Sequence, residues 1–402
     1  MQSLSSSRCT HTVTGTRGGE NGRSSTPPDA PVLPDSGPHA AVVDKPLARE
    51  HRCPYRCGAQ HRAGPAPLAA AGHVMALQPA LLDSTIDSFL RRITVSASDH
   101  AFERLAPLTW RRRLAWAVTA RAALTNSLAV SPLLADTDVE DVADRLCTEH
   151  ELFQIPSDVG EQAVADLDRA AAVEAMLLTP DDPDWPTAAV ADLERANVFA
   201  PVALWVRGPL PLTVSVDRTV AVTGSRAASD YGIHVAHDMA AYFADRGWRV
   251  LSGAGFGIDT AAHQAALLLS APTIAVVAAG IDRARPAGNT RLFDRLAERG
   301  LIVSEYPPGS VPSKPRFLER NRLVAALSTG LVICEAGARS GSLDTASWAQ
   351  RLQRRIAAVP GPIYSATSAG CHQLLRERAA HLAASGREAL DIVTDLGAGP
   401  AS

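Results

Sequence analysis

Apolar residues recur with two periods along this chain, and the change from one to the other divides it. Between about 75 and 200 the spacing is helical. Ile86, Phe89, Leu90 and Ile93 make one short stripe. Leu114, Val118 and Leu124 lie opposite Arg111, Arg112, Arg113 and Arg121 in a second segment at 110–128. Residues 139–146 and 159–178 read as further amphipathic helices. From 203 the pattern changes to short apolar, β-branched runs at 203–207, 219–223, 248–251, 272–279, 301–304, 331–334 and 356–359. Runs this short and this apolar suit strands buried on both faces, as in a parallel sheet. Helical stretches separate them at 231–244, from 258, and at 289–299, 317–327, 342–352 and 370–378. Such alternation predicts a doubly wound parallel sheet. The expected layout is a disordered tail at 1–74, a helical N-terminal domain at 75–200, the α/β domain at 201–380 and a C-terminal tail at 381–402.

The first segment is rich in Ser, Gly, Pro and Arg and has no sustained period, which predicts disorder. His51, Cys53, Cys57 and His61 lie close enough together to suggest zinc. Their spacing is not that of the usual fingers, and no strand or helix frames them, so unligated side chains are the preferred reading. Met75 opens the first foldable stretch and is the expected translational start. The run Thr-Pro-Asp-Asp-Pro-Asp-Trp-Pro at 179–186 can carry no regular element past its prolines and reads as a connector.

The chemistry concentrates where the strands end. Gly224, Ser225 and Arg226 close the run at 219–223, and Ser252-Gly253-Ala254-Gly255-Phe256-Gly257 closes the run at 248–251. If those strands are parallel neighbours, both turns open on the edge where open α/β sheets hold ligands. Backbone N–H groups and helix N-termini there suit an anion. Arg226 adds a planar cation matched to phosphate. A third such turn, with Ser340, Gly341 and Ser342, opens the helix after 331–334, and Gly288 and Asn289 open another. Residues 316–322 set Arg316, Arg320 and Arg322 around Phe317 and Asn321. Amides, hydroxyls and arginines with one aromatic are the means of holding a sugar-phosphate backbone while a base stacks.

Composition narrows this. The net charge is −3, so any polyanion site is a local gathering of arginines; lysine occurs only at Lys45 and Lys314. No apolar run approaches the roughly 20 residues of a membrane span, and the N-terminus lacks the apolar core of a secretory signal, so a cytoplasmic protein is expected. The six cysteines are scattered and indicate no disulfide framework. The turn at 252–257 spaces its glycines as GxGxG rather than GxGxxG and lacks the acid about 20 residues on, which argues against a dinucleotide. There is no Gly-Lys-Ser/Thr, which excludes a Walker A ATPase.

Several groups admit two readings. Asp259 and His263 stand i, i+4 on one helix and could pair for metal or proton transfer; a capping contact with a packed histidine is preferred. Glu305 and Glu335 end strands at the site edge and could serve glycosidic chemistry; holding arginines in place is preferred. Arg111, Arg112 and Arg113 could touch nucleic acid; a solvated helix face is preferred. Phe317 could be plain core; stacking is preferred.

Taken in order, GSR at 224–226, SGAGFGID at 252–259 with the following AAH, SEYPPG at 304–309, RFLERNR at 316–322, EAGARSGSLDTA at 335–346 and VPG at 359–361 resemble the DNA-processing protein A family, DprA or Smf. The resemblance spans about 179–378. It implies a Rossmann-like core that binds single-stranded DNA and delivers it to a RecA-type recombinase in DNA-mediated transformation. It also implies a homodimer, and no cofactor. On it, Arg226 matches a backbone arginine, Phe317 an aromatic that meets a base, and Arg320, Asn321 and Arg322 the basic RNR. Ser252, Gly253, Gly257, Ser340, Gly341 and Ser342 match loop positions that cradle the backbone. Phe256 stands where the family usually has a basic residue. Ala284-Arg285-Pro286 replaces its Tyr-Pro, with Asn289 kept. The family's winged helix is not expected after Arg378. A nucleotide or nucleoside-monophosphate hydrolase, or a nucleotide sensor, on the same fold is the alternative.

Overall fold

The structure, a computed structural model, describes residues 108–212 and 218–394. The expected tail at 1–74, His51, Cys53, Cys57 and His61, Met75, and the stripe of Ile86, Phe89, Leu90 and Ile93 lie outside the described residues.

Three helices come first: α1 (Trp110–Val130), α2 (Val139–Thr148) and α3 (Val159–Ala171). Thr109 caps α1 by accepting from the Arg112 N–H, and Asp138 caps α2 by accepting from Glu140. Asn126 leaves the helical conformation, breaking α1, and its side-chain amide donates to Phe153 O. Trp116, Val142, Leu146 and Leu167 from these helices form one buried cluster with Ala275, Val277 and Ile302 of the sheet. The helical segment therefore covers part of the sheet rather than standing apart from it.

Arg111 is exposed, as on a solvated helix face, whereas Arg112 and Arg113 are partly buried in ion pairs. Arg111 pairs with Glu140 and Asp144 on α2. Arg112 bridges Asp138 and Asp181, Arg113 donates to Asp182 at 2.6 Å, and Trp116 Nε1 donates to Asp181. The proline-rich connector is thus clasped to α1.

The sheet has nine strands: β1 (Ala175–Leu178), β2 (Leu204–Arg207), β3 (Thr219–Thr223), β4 (Arg249–Ser252), β5 (Thr273–Val277), β6 (Leu301–Ser304), β7 (Gly330–Ile333), β8 (Arg355–Ala358) and β9 (His381–Leu382). Their order is β1-β2-β6-β5-β4-β3-β7-β8-β9. From β6 to β9 every pairing is parallel, but β1–β2 and β2–β6 are antiparallel. The α/β fold is as expected, with the correction that the sheet is mixed. The helix expected at 159–178 ends at Ala171, and 175–178 is a strand. A four-residue apolar run fits a buried helix turn and a buried strand equally well, and only its partner decides. The sheet therefore begins before residue 201. It also continues past 380, through β9 and α11 (Gly386–Thr394), whose Val393 packs over Gly330.

Between strands run α4 (Thr187–Arg195), α5 (Asp230–Asp245), α6 (Ile258–Leu268), α7 (Thr290–Arg299), α8 (Lys314–Ala326), α9 (Gly341–Arg351) and α10 (Ala369–Arg376). Side chains alternate across the sheet as the pleat requires. Val220, Val222 and Val250 pack with Met239, Phe243 and Ala262 of α5 and α6. Ala221, Leu251 and Ile274 pack on the opposite face with Leu323 and Val324 of α8. The chain runs outward from β3 through β4 and β5 to β6, then returns to place β7 on the other side of β3. The switch point thus lies between β3 and β7, where such sheets open a crevice. Among the described residues no helix is long and apolar enough to cross a membrane.

Candidate nucleic-acid interface

Because β3 to β7 are parallel, the loops that follow them share one rim. Three of these loops are locked backbone to backbone. The Ser225 N–H donates to Glu335 O at 2.7 Å, joining the loop after β3 to that after β7. Ser225 O accepts from the Ile258 N–H at 3.2 Å, joining it to the turn after β4. Both contacts need glycine. A Cβ on Gly224 would sit 2.5 Å from Glu335 O. Gly257 has φ +71° and lies against the Ser225 and Arg226 carbonyls. Gly224, Gly253 and Ser340 therefore face one rim, on loops that fix each other.

The second turn is held from below by two side chains. Asp259 accepts from the Thr223 hydroxyl at 2.9 Å and from the Gly255 N–H at 3.0 Å. Asn289, buried, donates to Ala254 O, Gly255 O and the Thr260 hydroxyl. Ser252 is buried with its hydroxyl on Val222 O. The third loop is held the same way. Ser340 caps α9 by accepting from the Ser342 N–H, and Asn321 donates to Asp344 and to Gly341 O. Asn289, Asn321, Ser252 and Ser342 thus shape the loops from the buried side, while Gly253, Ser340 and Gly341 lie at their surface.

The arginines separate. Arg226 is exposed, with no carboxylate within ion-pair distance among the described residues; its guanidinium lies over the Phe317 ring, 4.3 Å from the centroid. Ser313 caps α8 and so puts Phe317 in its first turn, beside the rim. Arg320 is only 7% exposed and sits directly beneath Gly253. It donates to Val276 O, its Nε has no partner, and no carboxylate pairs with it among the described residues. Burial pushes its pKa down, with the Asp259 charge acting against that. Arg322 points elsewhere: it makes a two-pronged ion pair with Glu305 (2.7 and 2.8 Å) and donates to Phe199 O. Successive helix residues turn by about 100°, so the side chains of 320, 321 and 322 leave α8 in different directions.

Two residues outside the expected set also mark the rim. Arg339, on the loop after β7, is exposed, and no carboxylate pairs with it among the described residues. Phe256 is 47% exposed, its ring resting against Gly288. It therefore offers an aromatic face at the place where the family usually offers charge.

No acid–base pair assembles here. Glu335 accepts from the Ser229 N–H and hydroxyl and from Thr367, and Glu305 is held by Arg322. His263 does not meet Asp259; its Nδ1 lies 2.7 Å from the Thr273 hydroxyl. Burial holds its pKa down at about 3. The sign follows directly: the unfolded imidazole takes a proton near pH 6.5 and the folded one does not. The His263 contribution to stability is therefore expected to fall by about 1.4 kcal/mol per pH unit between about pH 6 and about pH 3, and His263→Leu to remove that part of the slope, as urea titrations at several pH values would show. Among the described residues no group of His, Cys, Asp and Glu is arranged to hold a metal.

The rim therefore offers backbone amides, an exposed arginine on an aromatic ring and a buried unpaired cation. Residues 176–395 match the family described as DNA recombination-mediator protein A. A DNA processing protein DprA of Mycobacterium tuberculosis is 42% identical over 276 residues, covering 66% of this chain and 71% of that protein. DprA of Streptococcus pneumoniae is 41% identical over 191 residues, covering 48% of this chain and 66% of that protein. The X-ray structure of the S. pneumoniae protein superposes with a TM-score of 0.54 at 30% identity, covering 71% of this chain and 98% of the other. The family match over more than half of the chain and these identities agree: the chain belongs to the DNA recombination-mediator protein A family, the DprA and Smf proteins.

Proposed function

We propose that this protein binds single-stranded DNA along the rim and passes it, as a homodimer in the cytoplasm, to a RecA-type recombinase during recombination or transformation. Family membership supports the handover. The observation that carries the binding is the pairing of exposed Arg226 over Phe317 with the buried, unpaired Arg320 under Gly253. A phosphate over Gly253 meets the Arg320 charge beneath the turn at the N-terminal end of α6, where the Gly255 and Ile258 N–H groups are already taken by Asp259 and Ser225 O. Arg226 swings from the ring to a neighbouring phosphate and frees the Phe317 face for a base, exchanging one π contact for another. Gly224, Ser225, Ser340 and Gly341 line the same path, while Asn289, Asn321, Ser252 and Ser342 keep it in shape. Arg322 acts through Glu305 rather than on the strand. The reading is one of binding rather than catalysis, since Glu305 and Glu335 are both engaged.

The test is fluorescence anisotropy with single- and double-stranded oligonucleotides over a salt range. The single strand is expected to bind more tightly. Its log K is expected to fall linearly with log salt, by about 0.7 per phosphate engaged. Arg226→Ala is expected to weaken poly-dT and mixed sequences by the same factor, about tenfold, because a backbone contact carries no sequence information. Equal affinity for duplex, or a loss restricted to one sequence, refutes the proposal.

A further inference from the structure

The rim continues past the Gly-rich turns. The loops after β5 and β6 are tied to each other: the Gly280 N–H donates to Ser310 O, and the Gly309 N–H donates to Asp282. Where these loops meet α1 and α3 there is an open cleft of about 750 Å³. Four arginines line it, Arg121 from α1, Arg169 from α3, Arg283 after β5 and Arg316 at the start of α8, and no acid does among the described residues. Two carboxylates pair with these arginines among the described residues. Asp166, 1% exposed, is shared between Arg121 and Arg169. Asp282, 15% exposed, lies 3.5 Å from Arg283. Arg316 has no carboxylate partner among the described residues; it donates to Val311 O and lies over the Tyr306 ring. Four cations against two carboxylates leave an excess of two positive charges. The Arg169 and Arg283 side chains remain 56% and 73% exposed, while the acids that position them are withdrawn from solvent. An arginine clasped from behind by a carboxylate keeps its outer N–H groups aimed outward, an arrangement suited to phosphate oxygens.

We propose that this cleft is a second phosphate-binding station, which takes the backbone of the same single strand after it leaves the Gly-rich turns. The inference rests on the function proposed above. β3 and β6 are three strand spacings apart, about 3 × 4.8 or roughly 14 Å, so one extended strand reaches both. Exposed Phe256, on the loop after β4, rests against Gly288 on the loop after β5. The helical segment before the sheet thereby gains a role: it supplies Arg121 and Arg169, half of the cleft's charge.

The test uses the full chain, an Arg169→Gln/Arg283→Gln double variant and an Arg169→Lys/Arg283→Lys control, with a dT trinucleotide, whose two phosphates lie closer together than the stations do, and oligo-dT of about twenty nucleotides. Both altered positions are solvent-exposed, and thermal unfolding of each variant checks the fold. The long strand is expected to bind the Gln variant about tenfold more weakly, with a salt slope shallower by about 1.4, or 0.7 for each phosphate no longer engaged. The short strand is expected to bind it as it binds the unaltered protein, and the Lys control to recover most of the long-strand affinity. Equal losses for both lengths, or none for the long one, overturn the second station. So does tripolyphosphate at matched ionic strength that binds the unaltered protein but not the Gln variant while long-strand binding is unchanged; the cleft would then serve free polyphosphate. Absence of single-strand binding at either length by the unaltered protein would instead defeat the function proposed above.

Discussion

Arg320→Met is expected to lower affinity for single-stranded DNA about a hundredfold, ~2.8 kcal/mol, while leaving the protein as stable as before or more so. The two halves of that result come from one feature. The Arg320 charge is enclosed beneath Gly253 with Asp259 near it but no carboxylate within ion-pair distance among the described residues, its Nε is unsatisfied, and one carbonyl, Val276 O, accepts from it. Withdrawing a cation from water with no ion-pair contact is unfavourable, and an unbranched apolar side chain of similar length removes that penalty. The penalty is offset only when an anion arrives over the turn. Methionine keeps the packing and loses that compensation. A residue whose removal stabilises the empty protein and disables the loaded one is maintained for its ligand. Urea denaturation with anisotropy on the same preparations would check both halves. A large loss of stability would mean that Arg320 is a core strut, and unchanged affinity would remove the anion from beneath Gly253.

That role was half legible in the sequence. The parallel strands β3 to β8 could be read because each is a short apolar run between turn residues, and burial on both faces leaves little else for such a run to be. The Gly-rich turns could be read because the close approaches at Gly224 and Gly257 admit no side chain, so the requirement is written in the residue type. Which face of α8 each residue presents could not. Arg320, Asn321 and Arg322 are adjacent in sequence but diverge around the helix, and only the sheet beneath and Glu305 beside them decide which reaches the rim. β1 was illegible for a related reason: its register with β2 settles an assignment that four apolar residues cannot. The arginine cleft was invisible, since residues 121, 169, 283 and 316 share no local pattern and are brought together by tertiary packing alone.

Glu305→Ala should have the opposite signature to Arg320→Met: a loss of about 3–5 kcal/mol in stability with little change in the affinity of the folded fraction. Arg322 is 8% exposed, and its guanidinium is satisfied by Glu305, Phe199 O and Glu319 O. Removing the carboxylate strands a buried cation with only carbonyls to meet it. Removing both charges, as in Glu305→Leu/Arg322→Met, is expected to recover most of the loss, because two apolar groups need no partner. The pair joins the end of β6 to α8, and through Phe199 O to the segment before β2. It thereby sets the rotation of α8 that brings Phe317 and Arg320 to the rim. Urea midpoints for the single and double variants, with single-strand affinity measured below the transition, test this division. If Arg322→Met weakened DNA binding as much as Arg320→Met, both arginines would face the strand and this rotation of α8 would be wrong. If the double variant were no more stable than Glu305→Ala, the stability would come from packing around Glu305 rather than from the pairing of charges.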